Sequence, residues 1–212
     1  MAQAHDIAEG KRSAFHARLQ HLQKLKFPAG LNTGRGRAAT YTVGHIYLIG
    51  VALELLQIGL NPERAKRVIE EDLHSVAMAA SLASQASYTL KERKFDSPTL
   101  LYCDPAALRE LTTIYQEEDW ASQTFFYTGL EDAKLQMAEW FCNGVQRIAF
   151  FSVSALVYDL TVATLPQTHD MSEFCALLNE WADPFVHNVT YDLNRPEQPY
   201  WQTLIEELED GD

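Results

Sequence analysis

Ten side chains near the start of the chain have types and spacing suited to a phosphate backbone and base-pair edges. Arg12, Ser13, His16, Arg18, Gln20, Gln23 and Lys24 fall in one short stretch. Arg35 and Arg37 alternate with glycine in Gly34-Arg35-Gly36-Arg37, and Tyr41 follows. Arginine and lysine neutralise phosphates, while arginine and glutamine can hydrogen-bond base edges. Guanidinium groups set between glycines suit phosphate or minor-groove contacts better than fixed base readout. Arg18, Gln20 and Gln23 are therefore the expected base-reading residues, and Arg35 and Arg37 the positioning ones.

Other chemistry lacks its constellation. The Gly-Arg-Gly-Arg run has neither the lysine nor the spacing of a phosphate-cradling loop. The seven histidines (5, 16, 21, 45, 74, 169 and 187) are dispersed. His16 and His21 are five apart, not the four that would place both on one metal-facing side of a helix. His169-Asp170 has no nucleophile placed nearby. Cys103 reads as a small core residue, and the three cysteines have no metal-ligand spacing. The expectation is no catalytic residue, no metal, no cofactor and no enzymatic activity. The four tryptophans and the pairs Phe125-Phe126 and Phe150-Phe151 are assigned to the core.

Charge is divided unevenly. Of the 212 residues, 1–69 carry 10 Lys+Arg against 4 Asp+Glu, whereas the remainder carries 7 against 25. A basic end on an acidic body is the asymmetry expected when one end meets a polyanion. At 47% hydrophobic and 22% charged, the composition is that of an ordinary folded chain. The beginning of the chain does not read as a signal peptide, and no apolar run approaches the roughly 20 residues of a membrane span. The expected location is the cytoplasm.

The elements that must position these residues follow from local rules. Residues 4–10 fit a short helical turn. Ser13 reads as the N-cap of a helix over about 13–25, with Phe15, Leu19 and Leu22 on one face, ended by Phe27-Pro28-Ala29-Gly30. A largely buried helix runs from Val43 to a Gly59 turn. Asn61 and Pro62 then start another, with Ala65, Val68 and Ile69 as its apolar stripe. Residues 72–94 read as helical and rich in small side chains. Beyond 95 the period changes: strands are expected over 99–103, 124–128 and 147–153. Helices are expected over 106–116, 131–143, 154–165 and 171–181.

Residues 13–71 resemble the DNA-binding half of the MerR family of winged helix-turn-helix regulators. The matching text is Arg18 near the middle of the recognition helix, Phe27-Pro28, a wing from Asn32 to Thr42 with Arg37 and Tyr41, and the turn Ile58-Gly59-Leu60-Asn61-Pro62. The first helix of such a unit has only residues 4–10 to form from. No long coiled coil with metal-binding cysteines follows, so metal or drug sensing does not transfer.

The sequence thus predicts a helix-rich α+β protein. A winged helix-turn-helix domain occupies 1–72, a helical connector 73–94, and an acidic, mixed α/β domain for dimerisation or sensing 95–212. The resemblance implies a bacterial-type transcription regulator that binds double-stranded DNA as a homodimer, with a protein partner or small effector at the C-terminal domain and no membrane. The rival expectation is a protein-protein adaptor or inhibitor working through its acidic C-terminal half.

Overall fold

A computed structural model describes residues 1–31, 40–85, 95–103, 125–144, 147–164 and 171–187. The helix expected over 106–116, Arg35, Arg37, Trp120, His169, Trp201 and the acidic tail lie outside the described residues. Within them the order is α1 (Arg12–Lys24), α2 (Val43–Gln57), α3 (Pro62–Glu71), α4 (Leu73–Ser84), β1 (Thr99–Cys103), β2 (Phe126–Gly129), α5 (Leu130–Cys142), β3 (Ala149–Ser152), α6 (Val153–Thr164) and α7 (Met171–His187).

Helix α2 is the hub. Nine of its fifteen residues are buried, so it is covered on more than one face. Close approach is what permits this. A Cβ on Gly44 would lie 2.2 Å from Cδ1 of Trp181 in α7, and one on Gly50 would lie 3.1 Å from Leu156 and Leu160 in α6. Next to Gly44, the wholly buried Tyr47 donates its hydroxyl to the carbonyl of Val76 in α4 at 3.0 Å. Its ring packs on Trp181 at 5.7 Å between centroids.

The three strands form an antiparallel sheet in the order β2-β1-β3, with Leu101 opposite Tyr127 and Phe151. The described residues are therefore helix-rich α+β, with an antiparallel sheet where strands beyond 95 were expected. Each strand follows or precedes a helix, but neighbouring strands are never parallel. Alternation sends Leu101, Cys103, Tyr127, Ala149 and Phe151 to the main core. Leu100, Tyr102 and Phe126 face the other way, onto Ala133, Met137 and Trp140 of α5. All five β1 residues are buried because β1 is central and covered on both faces.

The main hydrophobic core draws together described residues from Leu22 to Ala182. It includes Leu22, Val51, Ile69, Ala80, Leu101, Leu156 and Leu178. The described part of the expected helical connector, 73–85, holds helix α4. Its small residues Ser75, Ala77, Ala79, Ala80 and Ala83 are all buried, and α4 packs closely along α7. The small side chains serve a close intrachain helix contact rather than a surface for a second copy. Asp72 ties the two halves: Oδ1 accepts from the Ser75 amide at 3.2 Å, capping α4. Oδ2 accepts from the Phe125 amide at 2.8 Å, just before β2.

Helix α7 runs six residues past its expected end at Trp181, through Pro184. A proline there removes one helical hydrogen bond. Continuation is favoured because Phe185 and Val186 pack on the core and His74 Nδ1 donates to the Phe185 carbonyl at 2.9 Å.

Two outcomes are expected from this packing. Gly44→Ala forces the Trp181 ring off α2 and lowers stability by about 1–3 kcal/mol. Thermal unfolding checks this, at about 2–4 °C per kcal/mol for a chain of this size. The second concerns alkali. Burial, then the nearby Asp132 charge, pushes the Tyr102 phenol up to about 12. Between about pH 10, where an ordinary tyrosine ionises, and about 12 the unfolded chain sheds this proton while the folded chain keeps it. The Tyr102 contribution is therefore full below that window and lost as pH rises through it. Denaturant midpoints should fall over this range, and Tyr102→Phe should make the fall shallower.

Candidate nucleic-acid interface

The helix expected over 13–25 forms as α1 but begins one residue earlier, with Lys11 at the N-cap position and no side-chain cap. Ser13 is corrected from N-cap to the second residue of the first turn, exposed on its surface. Ahead of α1, residues 4–10 do not make a helix. A hydrogen-bonded turn links the His5 amide to the Met1 carbonyl at 3.2 Å, and Asp6 breaks it at φ +47. A single 3-10 turn, Glu9–Lys11, follows. Among the described residues no α-helix precedes α1. The segment is too short, and its left-handed Asp6 cannot continue a right-handed helix.

Helix α1 docks through Phe15 and Leu22, its two buried residues. Phe15 joins Ile49 and Leu53 of α2, while Leu22 enters the main core. Each such side chain contributes roughly 1.5–3 kcal/mol by burial. His21 on the α3 side sits 2.9 Å from Glu63 Oε1. The Glu63 carboxyl is held below its ordinary range, first by its own backbone amide at the start of α3 and then by His21.

The helix ends in a Schellman motif. Lys26, at φ +59, takes the left-handed position. The Phe27 amide bonds the Leu22 carbonyl at 3.0 Å and the Lys26 amide bonds that of Gln23 at 2.9 Å. Phe27 and Leu22, both buried, supply the accompanying apolar contact. The left-handed residue that stops α1 is thus Lys26, four residues before the expected Gly30.

The outward face of α1 matches the sequence expectation in composition. Arg12, Ser13, His16, Gln20, Gln23 and Lys24 are all exposed. From Lys11 to Lys26 there are five Lys+Arg and no acidic residue. Cations at the first turn oppose the helix macrodipole, an arrangement with no stability rationale that makes this end attractive to anions. Tyr41 stands beside this face: Gln23 Nε2 donates to its hydroxyl at 2.6 Å. Next to it, the Thr42 hydroxyl accepts from the His45 amide at 3.3 Å and starts α2. Gln23 and Tyr41 thereby join the helix to the end of the expected wing. Of that wing, 32–39 with Arg35 and Arg37 lie outside the described residues.

One expected pairing is separated. Arg18 and Gln20 are two residues apart, about 200° around a helix. Gln20, His16, Gln23 and Tyr41 line a cavity of about 550 Å³ on one flank of α1. Arg18 lines a different one, of about 560 Å³, on the opposite flank. Arg18 therefore does not share a reading face with Gln20 and Gln23. Sequence reasoning missed a residue on that second flank, His5. Its side chain is 5% exposed and its Nδ1 lies 3.2 Å from Glu54 Oε1. Only the folding of residues 1–7 back onto α2 reveals it.

Among the described residues no cluster of three or more His, Cys, Asp or Glu could hold a metal ion, and no helix is long and apolar enough to cross a membrane. Cys103 and Cys175 are buried, and burial pushes the Cys175 thiol up, away from the nucleophilic thiolate. Comparison with known proteins adds no relative: no family model, curated protein or solved structure matches the chain.

The C-terminal stop of α1 yields the expected outcome here. A lysine in the left-handed region costs about 1–2 kcal/mol, and glycine avoids that cost at an entropic loss of about 0.5–1 kcal/mol. Lys26→Gly should raise stability by roughly 0.5–1 kcal/mol, read as a higher denaturant midpoint with an unchanged slope.

Proposed function

We propose that the chain is a DNA-binding transcription regulator that lays the outer face of α1 against duplex DNA, with residues 32–42 as a basic wing. The observation that carries this reading is that face itself: exposed Arg12, Ser13, His16, Gln20, Gln23 and Lys24, in a segment with five Lys+Arg and no acid. Lys24 and Arg12 contact phosphates, Gln20 and Gln23 meet base edges, and Arg35 and Arg37 grip the flanking backbone. The reading is supported by the likeness of residues 13–71 to the MerR regulators, although among the described residues no α-helix precedes α1. Because one short helix reads few base pairs, the working unit is a homodimer on a two-fold site.

A salt-titrated binding assay with the full-length chain tests the proposal. Lys24→Gln and the double change Arg35→Ala with Arg37→Ala should weaken preferred and random duplexes by similar factors. Each should flatten the dependence of log affinity on log salt by about 0.9 for every phosphate no longer neutralised. Gln20→Ala should cost about 1–3 kcal/mol on the preferred site and little on random sequence. A folded full-length chain that shows no salt-dependent binding to any duplex sinks the reading.

A further inference from the structure

A cavity of about 560 Å³ lies between the N-terminal turn, α1 and α2. Its apolar wall comes from Ile7, Phe15, Leu53 and Leu56. Phe15 and Leu53 belong to one small buried cluster, so this wall is held by the packing of α1 on α2. Two cations, Lys11 and Arg18, also line it, and among the described residues no carboxylate does. Arg18 directs one Nη1 hydrogen to the Ala14 carbonyl at 3.2 Å, which leaves most of the guanidinium fork for another acceptor. His5 completes the lining.

His5 is fixed in the wall by its neighbours. Its ring is held at Nδ1 by Glu54 Oε1 at 3.2 Å, and Glu54 is braced by Gln57 Nε2 at 3.0 Å. The other ring nitrogen, Nε2, is buried without a hydrogen-bond partner. Buried polar atoms normally have partners, so this orphan marks His5 as an unusual member of the wall. The volume falls within the range of small-molecule sites, which combine an apolar lining with a few polar groups.

We propose that this cavity binds a small organic carboxylate with an apolar body. The apolar part lies on Phe15, Leu53 and Leu56, and the carboxylate pairs with Lys11 and Arg18. Two cations with no facing acid select an anion over a neutral or cationic molecule of the same shape. The site does not depend on what the outer face of α1 binds.

Calorimetric titration of the full-length chain with octanoate, and with 1-octanol as its uncharged counterpart, tests this. Octanoate should bind one per chain, with octanol at least about tenfold weaker. The double change Lys11→Gln with Arg18→Gln should remove that difference while octanol binding stays as it was. Ala14→Leu, at an exposed position on the cavity wall, should weaken both ligands by filling the space. All three positions are on the surface, and circular dichroism verifies that each variant is folded. The proposal is overturned if octanoate does not bind, if octanol binds equally well, or if the double variant keeps the preference for octanoate.

Discussion

The fold depends on how closely two helices from the end of the chain approach one helix near its start. Helix α2 has no side chain at Gly44 where the Trp181 ring of α7 sits, and none at Gly50 where leucines of α6 press in. Glycine within a helix costs roughly 0.5–1 kcal/mol relative to alanine. Here that cost is offset by aromatic and aliphatic surface that could not otherwise reach the α2 backbone. Tyr47 completes the arrangement, its ring against Trp181 and its hydroxyl on the α4 backbone. Three helices distant in sequence thereby share one wall.

This sharing gives the acidic half of the chain a mechanical role in the basic half. Helix α1 rests on α2 through Phe15 and also packs on α3, and α2 in turn rests on α3, α6 and α7, with Tyr47 reaching the α4 backbone. Asp72 adds a polar tie, with one carboxylate oxygen at the start of α4 and the other on the amide that precedes β2. A change in the packing of α6 or α7 is felt at the platform under α1, because dense cores transmit displacement rather than absorb it. The outer layer is looser. Leu135 on α5, 74% exposed, and Phe150 on β3, 55% exposed, stand on the far side of the sheet from that platform.

Around α1 the chemistry is divided into three sectors. The buried sector anchors it. The outward sector is cationic and amide-rich, bounded by the Gln23–Tyr41 hydrogen bond. The third sector, with Lys11 and Arg18, turns toward the cavity beside His5. Five cations on a single short segment therefore do not form one patch, since successive residues advance 100° around the helix. A ligand in that cavity would touch the same helix that presents the outer face.

Local structure was largely legible in the residues. Gly59 after an apolar run, Asn61-Pro62 at a helix start, and the apolar runs near 99–103 and 149–152 each obey rules that act over a few residues. The described helices and strands formed within one to three residues of their expected bounds, apart from the C-terminal ends of α4 and α7. The polar face of α1 was legible for the same reason. Nothing local announced that Lys26 rather than Gly30 would take the left-handed turn; the packing of Phe27 on Leu22 and the core behind it hold that strained conformation. Nor could spacing show that α4 is core, that Asp6 would break the turn before α1, or that His5 lies buried against Glu54. Those outcomes are set by contacts between residues far apart in sequence. Periodicity states which face of an element is apolar, but only the packed chain decides what covers it.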